Sequence, residues 1–266
     1  MTPVTGYIDG IGLIGPGLSD WLSGRAILAL PASYQYQKAV LPVPATLPPA
    51  ERRRCGPIVK LSLAVGYQAA AAAGLDVSVL PTVFSASGGD GGNCHEICAM
   101  LASSDRQISP TRFHNSVHNA AAGYWSIATG AMAPSSVLCA YDGSFGAGLL
   151  EALVQAVIDQ VATLLIAGDS TYPEPLRTTR PIADEFGVGL VLAPQSSEKT
   201  LAKITVRQTS DPADLLEVPL LEQLRATIPA ARSLPLLRAI ANRETARVVI
   251  DYLDNCRLAI EVVPCR

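Results

Sequence analysis

The stretch Ala133–Ala156, APSSVLCAYDGSFGAGLLEALVQA, decides the reading of this 266-residue chain. Residues Ser136–Tyr141 read as a strand, Asp142-Gly143-Ser144 as a tight turn, and the apolar run from Phe145 as a helix. A strand that enters a helix through a sharp elbow holds one side chain at the open end of a sheet. That side chain sits above unpaired helix N–H groups, which favour developing negative charge. The apex residue therefore carries the chemistry, and here it is Asp142, a carboxylate.

Two readings of the elbow follow. Asp142-Gly143-Ser144-Phe145-Gly146 is one residue short of G-x-S-x-G, with Asp in place of the first Gly. Ser144 would then be the nucleophile of an independent serine hydrolase or acyltransferase, and it would need a histidine base. Hydrolases with that elbow carry the histidine after the serine, whereas His95, His114 and His118 all precede Ser144. Gly168-Asp169-Ser170 carries a GDS triplet of another hydrolase type, but far from the chain start where that type places it.

The second reading rests on what surrounds the elbow. Ala133-Pro134, then a strand, an apex, and a helix with small residues at Gly148 and Ala152 resembles the elbow of the β-ketoacyl synthases, the condensing enzymes of the thiolase fold. Asp142 falls where that family has its acylated cysteine. The resemblance runs over roughly residues 4–206. It includes the opening strand and glycines of VTGYIDGIGLIGPG (4–17), GDS as the close of a first half, and the strands Asp184–Ala193 and Leu201–Val206. The segment TRFHNSVHNAAAGYWSIAT (111–129) looks like chain-length-factor-like partners of aryl polyene ketosynthases. The family's later histidine motifs are missing, because no histidine follows His118.

The rest of the chain sets bounds. At 49% apolar and 16% charged it can bury a substantial core. A net charge of −3 leaves no electrostatic footprint for nucleic acid. No stretch reaches 18 apolar residues and the start lacks a signal-like segment, so the expectation is a cytoplasmic protein without membrane insertion, its six cysteines reduced. Leu30–Pro57 is proline-rich and reads as an extended loop ending in Glu51-Arg52-Arg53-Arg54. That charge run is a solvated face or a docking patch for an acidic acyl carrier protein.

Residues 58–73 show helical spacing and stop at Gly74, and Val77–Ser85 reads as a strand. A Gly-rich turn at 87–92 then leads into a helix over Asn93–Leu101, and Thr111–Thr129 reads as one further helix. Cys94, His95, Cys98, His114 and His118 invite a metal reading. A single C-x₃-C without a second matched pair falls short of the four converging ligands zinc wants, so no metal is assigned. Cys139, inside the expected strand, reads as an inert buried thiol. Beyond 206, helices near Leu216–Ala226 and Leu234–Ala241 precede a hairpin of Ala246–Leu253 and Arg257–Val263 turning at Asp254-Asn255.

The resemblance implies an α/β, thiolase-like fold layered α/β/α/β/α, with a complete first half (4–170) and a shortened second half (171–266) in one domain spanning 1–266. It also implies a role. Condensation needs a thiolate and two histidines acting together, and losing them leaves no condensing activity. What remains is a non-catalytic chain length factor, paired with an active β-ketoacyl synthase and shaping its acyl tunnel. An acyl carrier protein would be the transient second partner, and no cofactor is implied. By position in the family, Ile97, Leu101 and Phe113 would face the tunnel or interface, together with His114, His118 and Trp125. Asp142 itself reads as a cap for the helix at Phe145.

Overall fold

The computed structural model describes residues 2–265. The chain opens with β1 (Val4–Ile14), then α1 (Trp21–Ala29), α2 (Pro49–Arg54) and α3 (Pro57–Ala73). Next come β2 (Thr82–Ser85), α4 (Gly91–Ala102), α5 (Pro110–His114) and α6 (Ala120–Thr129). The elbow joins β3 (Ser135–Leu138) to α7 (Ser144–Asp159), and β4 (Thr163–Asp169) and α8 (Leu176–Thr179) follow. The chain closes through β5 (Phe186–Ala193), β6 (Ala202–Thr209), α9 (Pro219–Thr227), α10 (Leu234–Asn242), β7 (Ala246–Leu253) and β8 (Cys256–Pro264).

These strands build one eight-stranded sheet in the order β3-β2-β4-β5-β1-β6-β8-β7. The three strands nearest the elbow, β3, β2 and β4, are parallel. All other neighbours are antiparallel. One face of the sheet packs on α3 and α6 through Val65, Ala69, Trp125, Leu164 and Ile166. The other packs on α1, α7, α9 and α10 through Leu28, Leu153, Leu224 and Leu237. The α/β expectation therefore holds, while the layering is simpler than expected. A five-layered stack needs two sheets, but here β6, β8 and β7 lengthen the sheet that β1 and β5 share. The described residues thus form helices, sheet and helices.

The glycines of the opening strand have a packing reason. A Cβ on Gly10 would stand 2.2 Å from the Ala69 carbonyl oxygen, one on Gly12 2.1 Å from that of Val65, and one on Gly189 2.4 Å from that of Val65. The backbone of α3 thus rests directly on the sheet, which only side-chain-free positions on β1 and β5 permit. These glycines bring helix and strand together.

Three expectations change. The single helix expected over Thr111–Thr129 is two, α5 and α6. Between them Asn115 and Ser116 turn their side chains to backbone carbonyls, at Arg54 (2.8 Å) and Phe113 (2.8 Å), in competition with helical pairing. The strand expected from Val77 begins only at Thr82, because Asp76 closes an Asx turn on Ser78 (2.9 Å) and Pro81 withholds a donor. The proline-rich loop contains the short helix α2, which carries Arg52, Arg53 and Arg54 in its last turn.

The tightest contact joins the two ends of the chain's chemistry. A Cβ on Gly143 would lie 1.6 Å from the Tyr252 carbonyl oxygen, and one on Gly146 2.3 Å from that of Asp251. Strand β7 therefore presses backbone on backbone against the first turn of α7. Gly146→Ala is expected to destabilise by about 1–3 kcal/mol, because neither partner atom can swing aside. Gly123→Ala, in α6 with nothing within 4 Å of its Cβ, should instead gain about 0.5–1 kcal/mol of helix propensity. Thermal melts of the two variants check the pair, and equal shifts would refute the contact.

Candidate functional site

The elbow turns at Tyr141, the residue with a left-handed backbone at φ +50. Asp142 follows it inside the short 3-10 turn Tyr141–Gly143, and α7 begins at Ser144. The sharpest point of the turn thus lies one residue before the carboxylate that the sequence placed at the apex. No side chain caps α7, whose N-cap is Gly143, so the expected capping role of Asp142 is not taken up.

The Asp142 carboxylate goes elsewhere. One oxygen pairs with Arg180 at 2.5 Å and the other with Arg232 at 3.0 Å. The Arg180 guanidinium also lies over the Tyr141 ring, 3.9 Å from its centroid, a cation–π contact that holds the corner residue. Arg232 continues to Asp251 at 3.1 Å, and Asp251 to Arg225 at 3.2 Å. Arg225 in turn grips Glu222 with two hydrogen bonds of 2.7 and 2.8 Å. The elbow, the turn at 229–233, β7 and α9 are thereby threaded on one chain of alternating charges.

A second carboxylate positions the first chain. Asp169, fully inside the protein, accepts from the Ser87 N–H (2.9 Å), the Ser87 hydroxyl (2.6 Å) and the Ala230 N–H (2.7 Å). Burial pushes its carboxyl up, against the pull of these donors and of Arg180. Its bond to Ala230 fixes the turn that carries Arg232. The GDS triplet is thus a structural tie between the Gly-rich loop and that turn.

Ser144 is 2% exposed, and its hydroxyl donates to the Tyr141 carbonyl at 2.7 Å while accepting from the Ala140 N–H at 3.0 Å. The oxygen is spent inside its own turn and none of its hydrogen bonds involves a histidine. Cys139 departs from the sequence reading. It lies just past the end of β3, exposed, and donates its thiol to the Ser87 carbonyl at 3.2 Å. Strand β3 is shorter than expected, which takes the cysteine out of the sheet.

Beside the elbow, an open cleft of ≈ 680 Å³ runs between Tyr141, Asp142, Arg232 and the hairpin turn at Asp254-Asn255. The hairpin stands beside the elbow in this chain and brings Asp254, Asn255, Cys256 and Arg257 to the cleft, with no histidine among its lining residues.

The side chains expected at a tunnel or interface divide into four groups. Phe113 and His114 line one open groove of ≈ 570 Å³ with Val117, Tyr124 and Ile127. Phe113 is 69% exposed there, and the His114 ring meets the Tyr124 ring edge-on at 6.5 Å. Ile97 and Leu101 sit on α4, half-buried and exposed respectively, and do not line that groove. His118 borders a cavity of ≈ 20 Å³, the size of one water, and its buried Nε2 has no partner. Trp125 is a core residue, 2% exposed, packed against Tyr67 and Phe84 with ring centroids 5.3 and 6.3 Å away. Its expected place at a tunnel wall gives way to the core under α3, where Gly66 makes room for the indole. Sequence reasoning missed Val117 and Ile127, whose exposure depends on the break between α5 and α6. It also missed Arg180 and Arg232, which lie far from Asp142 in sequence. Among the described residues no group of three or more His, Cys, Asp or Glu side chains is arranged to hold a metal ion.

Two measurements test the charge chain. Asp142→Asn leaves the mostly buried Arg180 and Arg232 short of a counter-charge. It is expected to cost about 1–2 kcal/mol, an isolated exposed pair being worth less and a buried one more. An unchanged melting temperature would remove the network from the account. For the pH dependence, the Arg225 guanidinium holds the Glu222 carboxyl below its ordinary value. The folded state therefore binds that proton less readily than the unfolded chain does. The stabilisation is present above the unfolded carboxyl's value and is lost as pH falls through the lowered folded one. Glu222→Gln should accordingly flatten the acid limb of a stability-versus-pH curve, and parallel curves for both proteins would contradict the pairing.

Comparison with known proteins places this geometry. The family model described as β-ketoacyl synthase, N-terminal domain, matches residues 29–248. No curated protein matches the chain. Among solved structures it is similar to a chain from the complex of a ketosynthase (ApeO) with its chain length factor (ApeC) from Xenorhabdus doucetiae. There the identity is 24%, 97% of this chain and 99% of that chain are covered, and the TM-score is 0.72. It is also similar to the ishigamide ketosynthase/chain length factor, at 14% identity with both chains fully covered (100% each) and a TM-score of 0.73. A β-ketoacyl synthase from Burkholderia phymatum STM815 follows at 13% identity, 99% and 100% coverage and a TM-score of 0.67. These likenesses give a shared fold, and the match over residues 29–248 shows that the chain belongs to the β-ketoacyl synthase family defined by that N-terminal domain.

Proposed function

We propose that this chain is a non-catalytic chain length factor, which pairs with an active β-ketoacyl synthase and shapes its acyl tunnel in aryl polyene biosynthesis. The observation that carries the reading is the elbow. Its corner holds Tyr141 and Asp142 instead of a thiol, and the carboxylate is locked between Arg180 and Arg232. A locked carboxylate is a poor nucleophile, and no histidine follows His118 to act on an extender unit. Two similar structures are of a ketosynthase with a chain length factor, and the reading takes the same partnership for this chain.

Two surface features support a partner. Strand β3 ends the sheet with its outer edge unpaired, a template for a strand from another chain. The groove of Phe113, Val117 and Ile127 exposes apolar side chains that a lone soluble domain would ordinarily cover. In this reading Phe113 and His114 meet the partner, Ile97 and Leu101 extend the wall along α4, and His118 packs behind them. Residues 4–170 act as the complete half and 171–266 as the shortened one. Arg52, Arg53 and Arg54 on α2 offer positive charge to an acidic acyl carrier protein. The compartment is the cytoplasm; among the described residues no helix is long and apolar enough to cross a membrane. The Ser144 alternative gains nothing from its geometry, since that hydroxyl is buried and already bonded twice.

Co-expression with the ketosynthase from the same genome, read by native mass spectrometry, tests the proposal. A one-to-one complex is expected, and Phe113→Ala within it should change polyene length. A well-behaved monomer or homodimer that ignores the ketosynthase would end this reading.

A further inference from the structure

Helix α4 turns its apolar stripe outward. Cys94, Ile97, Cys98 and Leu101 recur at helical spacing; both cysteines are exposed and Leu101 is 46% exposed. The first turn of the helix is clamped, with Gly91 and Asn93 buried and the Asn93 amide donating to the Arg112 carbonyl at 2.8 Å. The two thiols are therefore held one turn apart on a fixed helix. Helix rise sets their Cα atoms about 6 Å apart, within the span a disulfide bridges. Burial, and then the adjoining Cys98, push the Cys94 thiol up. The other cysteines are placed differently: Cys55 is buried, Cys256 and Cys265 are half-buried, and Cys139 is bonded to the Ser87 carbonyl.

We propose that Cys94 and Cys98 are an oxidisable dithiol that controls whether α4 can receive the partner, an inference that rests on the partner reading above. The oxidant is of the peroxide class. One thiol gives up its proton and its sulfur attacks a peroxide oxygen, breaking the O–O bond to leave a sulfenic acid and one water. The second sulfur then displaces the hydroxyl, forming the S–S bond and releasing a second water. Two thiols lose two electrons, and the peroxide takes them. Bridging draws the two Cβ atoms to about 3.8 Å from the roughly 5–6 Å of a regular helix. The turn that carries Ile97 must therefore distort, and the stripe loses its fit.

The test treats the native chain with hydrogen peroxide and counts free thiols, with peptide mapping of the bridge and a binding assay against the co-purified ketosynthase. The expected result is a fall from six free thiols by two, a mapped Cys94–Cys98 link, and binding weakened about tenfold and restored by reductant. The Cys94→Ser/Cys98→Ser double variant should bind throughout, and Cys139→Ser should behave as the parent. A bridge through Cys139, a thiol count that does not fall, or oxidised chain that binds as before would each overturn the proposal. If the reduced chain binds no ketosynthase, the partner reading fails and control of assembly falls with it. The mapping then still decides whether the bridge forms.

Discussion

The backbone contact between β7 and the first turn of α7 governs this molecule. Carbonyl oxygens of Tyr252 and Asp251 occupy the space where Cβ atoms of Gly143 and Gly146 would stand. Once the two backbones touch there, the hairpin β7–β8 stands beside the elbow, and the cleft next to it is bounded by the hairpin's own turn. The elbow's chemistry and the end of the chain are therefore one structural decision. Any residue larger than glycine at either position must push the hairpin away, and the strand pairings of β7 and β8 resist that.

The charges then follow the backbone. Asp251 lies on the same β7 that makes the contact, so its carboxylate is brought to Arg232 and Arg225. Arg232 reaches back to Asp142, and Arg180 closes the circuit over Tyr141. Arg180 and Arg232 each keep one buried N–H group without a partner, at Nη2 and Nε. The elbow is a place where charge is fixed, in contrast to one where charge develops during a reaction.

Much of this was legible in the chain itself, and what was not has physical reasons. The elbow, the stop of α3 at Gly74, the closing hairpin and the family resemblance all follow from local signals: turn residues, helical spacing, and an ordered set of motifs. The family match and the shared fold agree with them. Layering was misjudged because strand patterns do not say which sheet a strand joins; β6 carries the same alternation whether it starts a sheet or extends one. The role of Asp142 was misjudged because its partners, Arg180 and Arg232, are brought to it by tertiary folding, while a helix cap is a local option visible in sequence. Trp125 shows the opposite error. Its position in the family suggested a tunnel wall, yet the indole is covered, lying where a Cβ on Gly66 of α3 would stand.

The single continuous sheet has one more consequence, which concerns growth. A sheet with two ends can add strands at both, and repeated addition makes filaments. At one end β7 carries Arg247 and Asp251 and a register break after Asp251, features that blunt an edge against pairing. At the other end β3 is four residues long. An added strand would meet fewer of those features there, over a short run. The two edges are thus unequal, with β7 blunted and β3 offering a short run of backbone.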